Sequence, residues 1–294
     1  MKVYVSGRLM DSNEVQLPLF DYGVLYGDSL FEEVRLRKQC LFKLDEHLKQ
    51  LETSAKIVLM DLPWDREEIA DAICEVCQAN ALVDGVVRII VTRGRGALGC
   101  SPSKCDDPQL IIVVDQVEHY PQEYYGKGLN AITVSTRRAV STFQLPQIVR
   151  MNGAMAALEA EKMGYPEGII LNDQGYIAGC TRGNLFAINK GILFTPGFSD
   201  GAERSIVRDV ILEIATSMSM TWEVKPLIHY DLWNAEECFI VSYGMDILSI
   251  IDVDGRRIGE GRPGPIVKRL TEMFEERMRQ EGRALQSMGG VGAR

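Results

Sequence analysis

Long apolar runs are missing from this sequence, and so are several signals that would announce a class of protein. No stretch is apolar for the length that a bilayer core demands, so no membrane-spanning helix is expected. The opening MKVYVSGRLMD alternates like a strand and lacks the apolar centre of a leader, so neither a signal peptide nor an anchor is expected. Histidine is scarce, with three in all (His47, His119 and His229). They fall in a helix, a loop and a segment without any motif linking them to a nucleophile. Cysteine is odd in number, seven in 294 residues. That suits reduced thiols and a cytoplasmic location, not a disulfide framework. Basic side chains are outnumbered 32 to 41, and the resulting formal charge of -9 repels phosphate backbones. Nucleic acid is therefore not an expected partner. Lysine is absent from Arg138 through Glu161. The meaning of that gap depends on its surroundings.

What is present is ordinary globular usage, 46% apolar and 25% charged residues. The length suits two modest domains. Strands fit KVYVSGRLMD, and LFKLDEHLKQLETSAKIV reads as a strand followed by a helix entered at Asp45, whose carboxylate would cap it. A second helix fits DREEIADAICEVCQANAL. GVVRIIVTRG and PQLIIVVDQV read as a hairpin-like pair of β-branched strands. Pro and Gly weaken any element in EHYPQEYYGKG. Beyond it LNAITVSTRRAV starts a strand, NGAMAALEAEKMG a helix that Gly164 ends, and EGIILND, NLFAINKGILFTP and ECFIVSYG further strands. Helices fit RSIVRDVILEIATSM and GPIVKRLTEMFEERMRQEG. The expected organisation is α/β (α+β), with a domain over residues 1–120, a linker over 121–130, a second domain over 131–283 and a disordered tail over 284–294.

Cys74 and Cys77 in AICEVCQAN stand three apart beside Ile69, Ile73 and Val76, which makes them core positions of an amphipathic helix. A metal reading would need Cys100 and Cys105, around SPSK, to meet them. No metal is expected. Cys180 is a nucleophile only if a basic group depresses its pKa.

Two pairs of segments carry a resemblance. LFDYGVLYGDSLFEEVRL with LDEHLKQLETSAKI, and GYIAGCTRGNLFAINKGILFTP with GEGRPGPIVKRL, closely resemble the fold-type IV pyridoxal-phosphate enzymes: branched-chain and D-amino-acid aminotransferases and aminodeoxychorismate lyase. The resemblance runs in unbroken order over residues 3 to 275. It implies two α/β domains with the cofactor between them, and a homodimer in which the partner chain closes each site.

It also implies specific contacts, several of which read differently here. The cofactor needs a lysine amine for its covalent link and for proton transfer. Counted from LEAEKMGY that position falls on Pro146, or on Leu145 with a one-residue gap; aligned on MNG it falls on Val149. A carboxylate should face the ring nitrogen, and Gly179 stands there. The phosphate's arginine reads Gln50, its hydroxyl position at a helix start reads Val207, and a second threonine reads Tyr243. From these replacements the expectation is that pyridoxal phosphate has been lost.

Tyr26, Phe31, Arg35 and Arg88 match positions on the substrate side of the family pattern. Arg150 and Arg182 stand where the family has no arginine, next to the replaced contacts. An arginine pair holds a carboxylate through charge-assisted bonds, so a repurposed cavity for a small carboxylate metabolite is the leading expectation. The bland alternatives are ion pairs of Arg35 and Arg88 within strands, of Arg150 and Arg182 with Glu33 and Asp246, and solvated charge at Arg93 and Arg95. Two other functions compete: a non-catalytic partner that dimerises with an active paralogue, and a conventional aminotransferase or lyase.

Overall fold

The computed structural model describes residues 1–99, 101–117, 119–140 and 151–285. They form two units, Met1–Val117 with Met278–Arg294, and Glu118–Arg277. The chain thus returns to its first unit at its end, whereas the linear reading keeps residues through 283 in the second.

The first unit holds β1 (Lys2–Val5), β2 (Arg8–Asp11), α1 (Tyr22–Tyr26), β3 (Ser29–Arg37), β4 (Cys40–Phe42), α2 (Leu44–Ile57), α3 (Arg66–Ala79), β5 (Gly85–Thr92) and β6 (Leu110–Asp115). The second holds α4 (Gln122–Lys127), β7 (Leu129–Arg138), α5 (Met151–Lys162), β8 (Glu167–Asn172), β9 (Ile177–Cys180), β10 (Asn184–Asn189), β11 (Ile192–Thr195), α6 (Ile206–Ser217), β12 (Trp222–Val224), α7 (His229–Trp233), β13 (Glu237–Ser242), β14 (Asp246–Val253), β15 (Arg256–Arg257) and α8 (Pro265–Gln280). The last strand, β16 (Gly282–Ala284), pairs with β4 in the first unit. The mixed α/β class is as the sequence predicts.

In the first unit an antiparallel sheet runs β16-β4-β3-β5-β6-β1-β2. Its alternation sorts β3: Leu30, Glu32, Val34 and Leu36 turn toward α2, and Phe31, Glu33 and Arg35 to the other face. The expected pair β5 and β6 is antiparallel, with Ile89 opposite Ile112. Helix α3 opens with a capping box, the Asp65 side chain accepting from the Glu68 amide at 2.9 Å and Glu68 from the Asp65 amide at 2.8 Å. Helix α2 does not start at a capping Asp45. Its cap position is Lys43, with φ 54°, and Asp45 lies inside the first turn, where its charge suits the helix dipole.

The second unit's sheet runs β12-β11-β10-β13-β14-β7-β8-β9, with β15 on β14. Strands β8, β9, β10 and β13 are buried on both faces, which explains their near-continuous apolar runs. Phe186 and Phe239 lie opposite each other on β10 and β13 with rings stacked at 5.0 Å. The GRPGPIV motif is a helix start held from outside. Glu237 on β13 accepts from the Ile266 and Val267 amides at 3.0 and 2.8 Å, supplying the cap. Gly264 has no side chain because a Cβ there would stand 2.1 Å from the Glu237 carboxyl carbon. The polar segment before β7, expected to be irregular, forms the short helix α4, which ends at Gly128 with φ 82°.

Helix α5 is fastened to β7 by one carboxylate. Where the β7–β8 register slips between Thr133 and Arg137, Glu159 accepts from the Ser135 amide at 2.7 Å, the Ser135 hydroxyl at 2.9 Å and the Thr136 amide at 3.3 Å. The Ser135 amide, foremost among these donors, holds the Glu159 carboxyl below its ordinary pKa. A depressed folded-state pKa means the contribution is present above the unfolded value and is lost as pH falls through the folded one. Glu159→Gln should therefore lower the melting temperature at neutral pH, and the gap to the native protein should close as pH drops below the carboxylate range. A gap independent of pH would show that the charge does not matter.

Candidate functional site

Of the described residues singled out in the second half, Gly179 lies in β9 before the β9–β10 turn, Val207 lies at the start of α6, and Tyr243 meets the first amide of that helix. Gly179 lies in β9 with φ 145°, a backbone region that side chains rarely adopt. A Cβ there would find room, its nearest neighbours being the Gly183 carbonyl at 3.4 Å and Arg138 Nη1 at 3.5 Å. Glycine is thus fitted to the backbone and not to crowding. Gly179→Ala should cost about 1–3 kcal/mol through the backbone alone, measured by urea unfolding. A loss near zero would mean that the strand relaxes freely.

Beside Gly179 stands a group that sequence reasoning does not single out. Arg138, at the end of β7, donates to the Gly201 carbonyl at 3.2 Å and the Cys180 carbonyl at 3.4 Å, and meets Glu203 at 3.3 Å. The Asn184 side-chain Nδ2 donates to the Glu203 carbonyl at 2.9 Å, tying the turn to the loop that leads into α6. That helix is capped by Ser205, whose hydroxyl accepts from the Arg208 amide at 3.4 Å. The Ile206 amide donates to the Tyr243 hydroxyl at 2.8 Å. Val207 is buried in the first turn, its side chain part of the core. Arg204 and Arg208 both lie over the Phe198 ring, at 4.4 and 4.8 Å.

Arg182 does not turn toward Arg138. Its guanidinium lies over the Tyr120 ring at 5.1 Å and meets Glu161 at 3.5 Å, neither of which is the Glu33 or Asp246 partner expected. Cys180 is fully buried, and burial pushes its thiol well up, the reverse of nucleophile activation. Cys77 and Cys238 are likewise pushed up to about 12 by burial. Cys77 is a core residue, as its helical spacing implies. Among the described residues no group of three or more His, Cys, Asp or Glu side chains is placed to hold a metal, and no helix is long and apolar enough to cross a membrane.

In the first unit the expected residues are engaged one by one. Arg35 is buried and donates to the Gly85 carbonyl at 2.8 Å and to the Leu36 carbonyl, with Asp84 at 3.9 Å. Arg88 is exposed, binds Glu33 with Nε at 2.9 Å, and covers the Phe31 ring at 5.5 Å. The two share a sheet face, yet their partners draw them to different places: Arg88 forms an ion pair with Glu33 within the sheet, and Arg35 is held mainly by backbone carbonyls. Arg93 is not solvated: it meets Asp28 at 2.5 Å and donates to the Leu59 and Val58 carbonyls at 3.1 and 3.0 Å. Arg95 pairs with Asp107 at 3.1 Å on the surface. Tyr26 accepts from the Gly99 amide at 2.9 Å. Gln50 donates to Glu32 at 2.9 Å, and the same carboxylate meets His47 Nδ1 at 2.9 Å. Both members of that pair are buried, a cluster signalled only by a glutamate on the helix-facing side of β3. Leu145, Pro146, Val149 and Arg150 lie outside the described residues.

Around the described positions that the resemblance assigns to pyridoxal phosphate, the protein's own groups bond to one another. Gly179 offers no carboxylate and is flanked by a cation, an amide at the start of α6 already serves Tyr243, and Gln50 is held by Glu32.

Comparison with known proteins places these differences inside a likeness that spans the chain. The family model described as amino-transferase class IV matches residues 29–253. A putative branched-chain-amino-acid aminotransferase of Methanocaldococcus jannaschii is 33% identical over 279 residues, 94% of this chain and 96% of that protein. The crystal structure of the Escherichia coli branched-chain amino acid aminotransferase superposes with a TM-score of 0.92 at 26% identity, over 97% of this chain and 99% of the other. A T.th. branched-chain amino acid aminotransferase, crystallised with pyridoxamine 5′-phosphate, gives 0.90 at 26% identity, over 97% and 98%. The expectation of a repurposed cavity for a small carboxylate metabolite is overturned by these likenesses, which favour the conventional aminotransferase alternative. The chain, over three quarters of its length and more, belongs to the amino-transferase class IV family.

Proposed function

We propose that this protein transfers amino groups between branched-chain amino acids and 2-oxo acids, with pyridoxal phosphate as cofactor and as a homodimer. The observation that carries the reading is the likeness to proteins so named over 94% of the chain.

The test is uptake and turnover together. Purified protein is incubated with pyridoxal phosphate, desalted, reduced with borohydride and mapped by mass spectrometry, and a parallel sample is assayed for transfer from leucine to 2-oxoglutarate. The expected result is a phosphopyridoxyl adduct on one lysine and measurable transfer, with D-alanine a poor donor. Because no lysine occurs from Gly128 through Glu161, the map also identifies which amine serves. Absence of both adduct and transfer would overturn the reading.

A further inference from the structure

The second unit contains a buried carboxylate that is not among the residues singled out from the sequence. Glu167, at the start of β8, is fully buried. Its Oε1 accepts from the Gly168 amide at 2.9 Å, from the Thr181 amide at 2.8 Å and from the Thr181 hydroxyl, and its Oε2 accepts from the Tyr120 hydroxyl at 2.8 Å. Burying a carboxylate is unfavourable unless donors surround it, and a hydrophobic residue of similar volume would often serve stability as well. Two of the four donors come from Thr181, in the Thr181–Gly183 turn between β9 and β10; the others are the Gly168 amide on β8 and the Tyr120 hydroxyl.

The backbone around this turn is closed by two glycines. A Cβ on Gly168 would stand 2.9 Å from Thr181 Cγ2, and one on Gly183 would stand 2.4 Å from the Val241 carbonyl. The turn is therefore seated between β8 and β13 at distances that side chains do not allow. From it, contacts lead outward: the Cys180 carbonyl and, through Asn184, the Glu203 carbonyl bring it to Arg138 and the loop before α6. Tyr120 also carries the Arg182 guanidinium on its ring.

We propose that Glu167 is a positioning residue: it fixes the Thr181–Gly183 turn in one conformation, and through that turn it sets Arg138 and the start of α6. It acts by accepting hydrogen bonds, so geometry matters more than charge. Glutamine can keep its carbonyl oxygen on the Gly168 and Thr181 donors and present its amide to the Tyr120 oxygen. The Tyr120 hydroxyl then turns to the Pro166 carbonyl, 3.1 Å away. Leucine keeps the volume and removes the carboxylate's acceptors, while the Thr181 amide retains the Gly168 carbonyl at 2.9 Å.

The effect on substrate rests on the aminotransferase reading; the effect on the turn does not. Hydrogen exchange is measured across the second unit for the native protein, Glu167→Gln and Glu167→Leu, together with kcat and KM for leucine. In Glu167→Leu the Thr181–Gly183 amides should exchange about 10-fold faster, the size of one lost buried acceptor, while the Leu185–Ile188 amides of β10 hold their native rates. The KM should rise by a similar factor with kcat nearly constant, and Glu167→Gln should stay near the native values in both. Acceleration spread evenly over the unit, or a released turn with an unchanged KM, would overturn the proposal. If the native protein shows no transfer, the aminotransferase reading fails and the exchange pattern alone decides, local release supporting the proposal and its absence sinking it. If Glu167→Leu does not fold, Thr181→Ala, which removes one donor and leaves the carboxylate, should release the same amides by a smaller factor.

Discussion

Replacing His47 by leucine is expected to lower the free energy of unfolding by about 3–5 kcal/mol, the cost of breaking a buried charged or polar pair from one side. Glu32 is 2% exposed and His47 is wholly inaccessible, so water cannot take over the bond that the imidazole makes. The Glu32 carboxylate would be left in the interior with Gln50 as its support, at 2.9 Å. The double change Glu32→Leu with His47→Leu should recover most of the loss, because apolar residues of similar volume need no partners. Urea unfolding of the three variants checks both statements. A single-variant loss under about 1 kcal/mol would place the carboxylate in a wetter setting than the structure shows. Since a domain's whole stability is about 5–15 kcal/mol, this pair is a large share of what holds α2 against β3.

Phe239→Ala should be as severe, at about 3–5 kcal/mol for the emptied volume. Loss of the stacked partner adds about 0.5–1.5 kcal/mol. Phe239 and Phe186 are both without solvent exposure, on neighbouring strands with rings inclined by 4°. The cavity would open where β10 and β13 are covered on both faces, leaving little scope for collapse. Phe239→Leu, which retains most of the volume, should recover more than half of the loss by calorimetry. Equal losses for alanine and leucine would show that aromatic stacking and not packing carries the effect.

Which of these features are legible beforehand follows from the range over which each signal acts. Helices α3, α6 and α8 and strands β5, β6, β8 and β13 are readable because burial imposes a local period on the chain. The GRPGPIV stretch is readable as part of a motif, but not that Glu237 caps it, since cap and helix are far apart in sequence. Helix α4 escapes because its one turn is too short for a period to show. Gln50 reads, by its place in a motif, as a changed phosphate contact, whereas its amide belongs to Glu32 on another element. Arg35, Arg88 and Arg93 are visible as charges. Whether a guanidinium is free for a ligand or bound by carbonyls is decided by neighbours that sequence does not order.

The sequence by itself determined the α/β class and the family resemblance, because these are matters of residue identity and short spacing; from the resemblance came the expectation of departures at Gln50, Gly179, Val207 and Tyr243. The resemblance did not make those departures a change of function, and the likeness along the whole chain corrected that inference. Only the tertiary structure placed Arg138 beside Gly179, gave Gly179 its φ of 145°, and gathered Tyr120, Gly168 and Thr181 around Glu167. The physical reason is that a buried polar group is tolerated only where partners from separate parts of the chain converge on it. Such convergence is a property of folded packing, to which no local pattern in the chain corresponds.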